Sequence, residues 1–85
     1  MKNRSKTKVI LFPGHETVSG IDALINMTRI TSEAKINALK AHLVDGLPAK
    51  HAYWRHHVDQ QHFSEALRKL NRAAELALKY SEAHK

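Results

Sequence analysis

The sequence predicts a small all-α domain of about four helices, with a helix-turn-helix near residues 47–72 and a flexible basic amino-terminal arm. Three observations support this. Apolar residues recur at helical spacing in four stretches, each bounded by capping or stop residues. The longest unbroken apolar run, Val9 to Phe12, is only four residues, too short for a strand expectation and far too short to span a membrane. The chain has 85 residues and no cysteine, which allows one modest core with neither disulfides nor thiolate metal ligands.

In chain order, residues 1–8 are polar and basic and read as the arm. Val9 to Phe12 forms an apolar clip that ends at the turn signal Pro13-Gly14. Residues 1–14 are therefore set apart as arm and clip, and 15–85 as the helical domain. The first helix should cover about residues 17–29, with Ile21, Leu24, Ile25 and Ile30 inward and Asp22 early enough to favour the helix dipole. Thr31 or Ser32 can cap the second, Glu33 adds a carboxylate to its first turn, and Ile36, Leu39, Leu43 and Val44 face inward. Gly46 is a natural stop, because glycine accepts the left-handed conformation at a helix end.

Pro48 suits the first position of a third helix, where its missing N–H would lack a partner anyway, and that helix should end around His56. The fourth should start at Asp59 or Gln60 and run to about Tyr80. Its inward stripe is expected to be Phe63, Ala66, Leu67, Leu70, Ala74, Ala77 and Leu78.

A helix-turn-helix needs small or apolar residues where its helices cross and polar residues on the early turns of the second. Ala52, Val58, Phe63 and Ala66 or Leu67 can form the crossing, with His57 standing where many such turns have glycine. This leaves Gln60, Gln61, His62, Ser64, Arg68, Lys69 and Arg72 outward, with Lys50 and Arg55 on the preceding helix. Gln can pair with adenine through two hydrogen bonds, Ser suits a phosphate oxygen, and Arg or Lys suits guanine or phosphate. These nine residues are the candidate DNA contacts.

The net charge of +6 is unevenly placed. Residues 1–14 carry Lys2, Arg4, Lys6 and Lys8 and no acid, residues 15–46 sum to −1, residues 47–72 to +3, and the last thirteen to zero. A charge that served solubility alone would have no reason to sort this way, whereas a face that binds a polyanion would.

The segments LFPG, TRITSEAKINALKAHLVDGLPAK and VDQQHFSEALRKLNRAAELALKY resemble the PapB-type regulators of fimbrial adhesin operons. The shared features are Pro13-Gly14 after the clip, a serine-led helix from Ser32 that ends in Leu43-Val44 and Gly46, and Phe63-Ser64 with Leu67 and Leu70. They span about residues 11–80. The resemblance implies an all-helical regulator of transcription that binds A/T-rich double-stranded DNA with minor-groove contacts, as an oligomer on several adjacent sites. It carries DNA contact onto Lys50, Lys69 and Arg72. The chain departs from the pattern at Trp54, Gln61 and His62, which bears on sequence preference more than on fold.

Other chemistries are less well supported. His51, His56, His57 and His62 cluster in sequence but match no metal-ligand spacing. Ser64 and His62 are two residues apart on a helix, so they point to different faces and form no dyad. No nucleophile is paired with a base and no glycine loop cradles a phosphate, so the expectation is a non-enzyme without cofactor, metal or small-molecule substrate. Tyr53 and Trp54 could stack on bases, but with five aromatics in the chain at least one should pack in the core or at a subunit contact. The expected partners are duplex DNA and further copies of the chain, with no membrane. The expected location is the cytoplasm, at the nucleoid. The alternatives are a helical protein-interaction module and a nonspecific nucleic-acid binder.

Overall fold

The computed structural model describes residues 10–83. The arm expected at residues 1–8, and Val9 of the clip, lie outside the described residues. Four helices follow one another: α1 (Val18–Thr28), α2 (Glu33–Leu43), α3 (Ala49–Arg55) and α4 (Gln60–Ala83).

Each helix begins on a local polar signal or a turn residue. The Thr17 hydroxyl accepts from the Gly20 N–H at 3.1 Å to open α1, and the Ser32 hydroxyl accepts from the Lys35 N–H at 3.3 Å to open α2. Of the two candidate caps, Ser32 therefore takes the role. Asp22 falls in the second turn of α1, past the reach of the dipole, and its carboxylate instead pairs with Lys40 of α2 at 2.8 Å. Pro48 sits one position earlier than expected. Its ψ of 144° is extended, so it precedes the first helical residue of α3. Asp59 opens α4, its carboxylate accepting from the N–H groups of Gln61 at 3.0 Å and His62 at 3.4 Å.

The core is centred on α2, which buries Ala38, Leu39, Ala41, His42 and Leu43 and packs against both α3 and α4. The helix α1 crosses α4 with Ile21 and Ile25 inward. Phe63 enters from the first turns of α4 and is only 2% exposed. The His42 ring meets it edge-on, with centroids 5.8 Å apart, and Tyr53 of α3 lies 5.4 Å away on a tilted plane. His42 is also 2.7 Å from the Leu47 carbonyl through Nδ1. A carbonyl can only accept, so Nδ1 carries the proton, and this buried histidine ties the α2–α3 connection to the core.

The amino-terminal segment is moored at two places. The N–H groups of Ile10 and Leu11 both donate to Oδ1 of Asn71 at 2.9 Å, and Leu11 is buried. After the Pro13-Gly14 turn, closed by His15 N–H to the Phe12 carbonyl at 3.1 Å, the Glu16 N–H donates to the Leu43 carbonyl at 3.1 Å. Gly14 (φ 76°) and Gly46 (φ 83°) face each other there. A Cβ on Gly14 would stand 3.3 Å from the Gly46 Cα, and one on Gly46 would stand 3.4 Å from the Gly14 Cα. Both backbones are left-handed and touch, so neither position suits a side chain.

The inward stripe of α4 is shorter than its periodicity predicts. Phe63, Ala66, Leu70 and Ala73 are buried and Leu67 and Ala74 partly so, but Ala77 is exposed and Leu78 is 48% exposed. The reason is length. The 24 residues of α4 extend about 36 Å, whereas α1 and α2 have eleven residues each, so the last turns of α4 overhang their partners.

The α3–α4 turn has a backbone outlier. His57, in the place where glycine is common, has φ 58° and donates its N–H to the Trp54 carbonyl at 3.1 Å. A residue with a Cβ is strained there.

Two stability changes should follow. Phe63→Ala should cost about 3–5 kcal/mol, a large share of the stability of so small a domain, and should lower the urea midpoint of the helical signal sharply. His57→Gly should stabilise the fold by roughly 0.5–1 kcal/mol, since relief of the left-handed strain outweighs the entropy of glycine. That gain should appear as a melting temperature several degrees higher.

Candidate nucleic-acid interface

The α3–turn–α4 unit has the helix-turn-helix order, and its crossing is apolar. Ala52, Val58, Phe63 and Ala66 are all buried there, with Leu67 partly so. The His56 N–H donates to the Ala52 carbonyl at 3.4 Å and the Val58 N–H to the Tyr53 carbonyl at 2.8 Å, so the chain turns tightly from one helix into the next. Tyr53 packs on the core, whereas Trp54 on the outer side of α3 is 76% exposed. One aromatic of this neighbouring pair is therefore structural, and the other is open to a partner.

All nine sequence-nominated residues are exposed: Lys50, Arg55, Gln60, Gln61, His62, Ser64, Arg68, Lys69 and Arg72. With Phe63, Ala66, Leu70 and Ala73 turned inward, helical spacing carries Gln61, Arg68 and Arg72 to the opposite side of α4. Arg68, Lys69 and Arg72 line one open groove of about 550 Å³ with Glu65 and with Thr28 of α1. His62 and Lys69 line a second, smaller cleft of about 190 Å³ at the α1–α2 corner. Lys50 and Arg55 line neither and stay on α3.

The basic side chains between residues 10 and 83 divide by whether they have a partner. Lys40 pairs with Asp22. Arg72 Nη1 lies 3.6 Å, and Lys79 Nζ 3.7 Å, from the two carboxylate oxygens of Glu75. Arg29, Lys35, Lys50, Arg55, Arg68 and Lys69 have no ion-pair partner among the described residues. Four of these six were nominated from the sequence. Glu75 is unusual in its own right, because it is buried and its Oε1 accepts no hydrogen bond among the described residues. Arg72 is thus partly committed to Glu75, while Arg68 and Lys69 are not.

Arg29 and Lys35 escaped the sequence reading. Both lie in the stretch whose charges sum to −1, and one of its three bases, Lys40, is consumed by Asp22. The remaining two sit on either side of the α1–α2 connection, Arg29 as the closing residue of α1 and Lys35 in the opening turns of α2. A hairpin of two helices must place them at one corner, and that signal was present in the helix boundaries. Among the described residues no three His, Asp or Glu side chains converge in a way that could hold a metal ion, and no helix is long and apolar enough to cross a membrane.

Comparison with known proteins gives a consistent result. A family model described as PapB, adhesin biosynthesis transcription regulatory protein, matches residues 1–83. The fold is similar to the crystal structure of E. coli FocB, with a TM-score of 0.81 and 25% sequence identity over 91% of this chain and 88% of that one. No curated protein matches the chain significantly.

Proposed function

The chain belongs to the PapB family of adhesin biosynthesis transcription regulatory proteins, and from that premise we propose that it regulates a fimbrial or adhesin operon by binding duplex DNA. In this reading the helix-turn-helix lays α4 against A/T-rich sites, and several copies occupy neighbouring sites. The protein then works at the nucleoid, in the cytoplasm, without a cofactor or small-molecule substrate.

One observation carries the reading. Arg68 and Lys69 on α4, and Lys50 and Arg55 on α3, have no ion-pair partner among the described residues, so both helices of the unit present unneutralised cations. Phosphates supply the missing charge, and release of their counterions drives association. Gln60, Gln61, His62 and Ser64 lie at the leading end of α4, where polar side chains can reach base edges or phosphate oxygens. The overhang of α4 supports self-association. Leu76 and Tyr80, one turn apart on the same side of α4, are 48% and 67% exposed, apolar surface for a second copy to cover.

A footprinting titration on the DNA upstream of the chain's own gene tests the reading. Protection should begin at A/T-rich segments and extend stepwise as protein is added. Equal protection of unrelated duplex would reduce the protein to a nonspecific coat, and affinity insensitive to salt would favour a protein-interaction module. Lys69→Ala should weaken all duplexes alike and lower the slope of log affinity against log salt by about 0.9, the value for one lost phosphate contact. Gln61→Ala should leave that slope unchanged and narrow the preference for specific over random duplex, as expected for a base contact. Both are measurable by fluorescence anisotropy with labelled duplexes.

A further inference from the structure

The cleft at the α1–α2 corner is built from three parts of the chain. Arg29 comes from the end of α1, Lys35 from α2, and His62 and Lys69 from α4, with Glu65 the carboxylate in the lining. Arg29, Lys35 and Lys69 each lack an ion-pair partner among the described residues, although the fold pairs Lys40, Arg72 and Lys79 with acids elsewhere. Like charges gathered around one small space raise one another's energy unless an anion joins them. Arg29 reaches its place from a left-handed backbone, φ 61°, where glycine would rest without strain.

Lys69 connects this cleft to the outward side of α4, since it also lines the groove beside Arg68 and Arg72. The cationic surface therefore continues past the helix-turn-helix to a corner that the motif does not include. We propose that Arg29 and Lys35, together with Lys69, hold a phosphodiester of the DNA backbone beside the segment that α4 covers. A guanidinium fork and two ammonium groups suit the two free oxygens of such a group. Glu65 leaves the cleft with a modest positive balance, which matches a singly charged diester held at the mouth better than a small, highly charged anion drawn inside. The contact reads no base. It fixes where α4 sits along the duplex.

This inference rests on the proposed function, and its test separates the two. Labelled A/T-rich and scrambled duplexes are titrated over a salt series with the wild type, Arg29→Gly, Lys35→Gln and the double variant. Glycine accepts the left-handed backbone at position 29, and Lys35→Gln keeps a polar side chain at a helix surface, so both variants should melt at or above the wild-type temperature. Each single variant should lose affinity several-fold, equally on both duplexes, and the double variant should lower the salt slope by about 0.9, the value for the one phosphate that the cleft holds. Inorganic phosphate at matched ionic strength should not compete. If wild type binds duplex and the double variant keeps its slope, the corner is no backbone contact. Competition by inorganic phosphate that disappears in the double variant would make the cleft a free-anion site, which also overturns the inference. If wild type binds neither duplex, the proposed function fails and this inference with it.

Discussion

The arrangement of the whole domain depends on the ring of Phe63. It is the first inward residue of α4, and it is held between His42 of α2 and Tyr53 of α3. His42 in turn holds the carbonyl of Leu47, so the same cluster sets where the α2–α3 connection ends and α3 begins. Three helices are thus oriented by one buried contact. On an α-helix, turning the inward position by a single residue moves every other side chain by about 100° around the axis. Because Phe63 faces in, Gln61, Arg68 and Arg72 face out. The cations of α4 do not choose their own side; apolar burial places them, since it is worth far more than any exposed ion pair.

A second constraint explains why motifs far apart in the chain belong together. Pro13-Gly14 and the Leu43-Val44-x-Gly46 step look like independent punctuation in the sequence. In the fold they meet, with two left-handed glycines in backbone contact and the Glu16 N–H bonded to the Leu43 carbonyl. Each glycine makes room for the other, so a side chain at either position would be strained by the left-handed backbone and would crowd the facing glycine by a few tenths of an ångström. Asn71 secures the same segment to the middle of α4 through two N–H groups. The motifs on which the family resemblance rested are therefore, in part, two halves of a single crossing.

Local features were legible in the sequence and long-range ones were not. The Ser32 cap and the inward stripes through Ala74 follow from periodicity and side-chain chemistry within a few residues and appear where expected, whereas Pro48 falls one position before α3 and Asp22 beyond the reach of the dipole. Ala77 and Leu78 keep the period but lose the burial, because periodicity says which way a residue faces and not whether another helix reaches that far. The nine nominated contacts all came out exposed, since polar residues opposite an apolar stripe have nowhere else to go. Arg29 and Lys35 were hidden by counting charge along the chain. A segment can sum to −1 and still present two unpaired cations once a salt bridge removes one base with one acid. Glu75 shows the opposite failure. It is a charged residue on a helix of mixed polarity, yet it is buried one turn beyond the point where Asn71 holds the amino-terminal segment.

The cap of α4 decides how such a surface can divide its labour. The amino terminus of a helix is ordinarily a good seat for phosphate, because its N–H groups are free and the dipole favours an anion. Here Asp59 occupies that seat, taking the N–H groups of Gln61 and His62 with its own carboxylate. A phosphate brought to the same place would meet a fixed negative charge and find those donors spent. Under the proposed function, backbone contacts would then fall to the flanks, where Lys50 and Arg55 stand on one helix and Lys69, Arg29 and Lys35 line the other corner. The tip of α4 carries Gln60, Gln61 and Ser64, neutral side chains that add hydrogen bonds without adding positive charge. Asp59 is first of all a helix cap, and under the proposed function it also makes the tip of α4 a poorer seat for phosphate than for base edges.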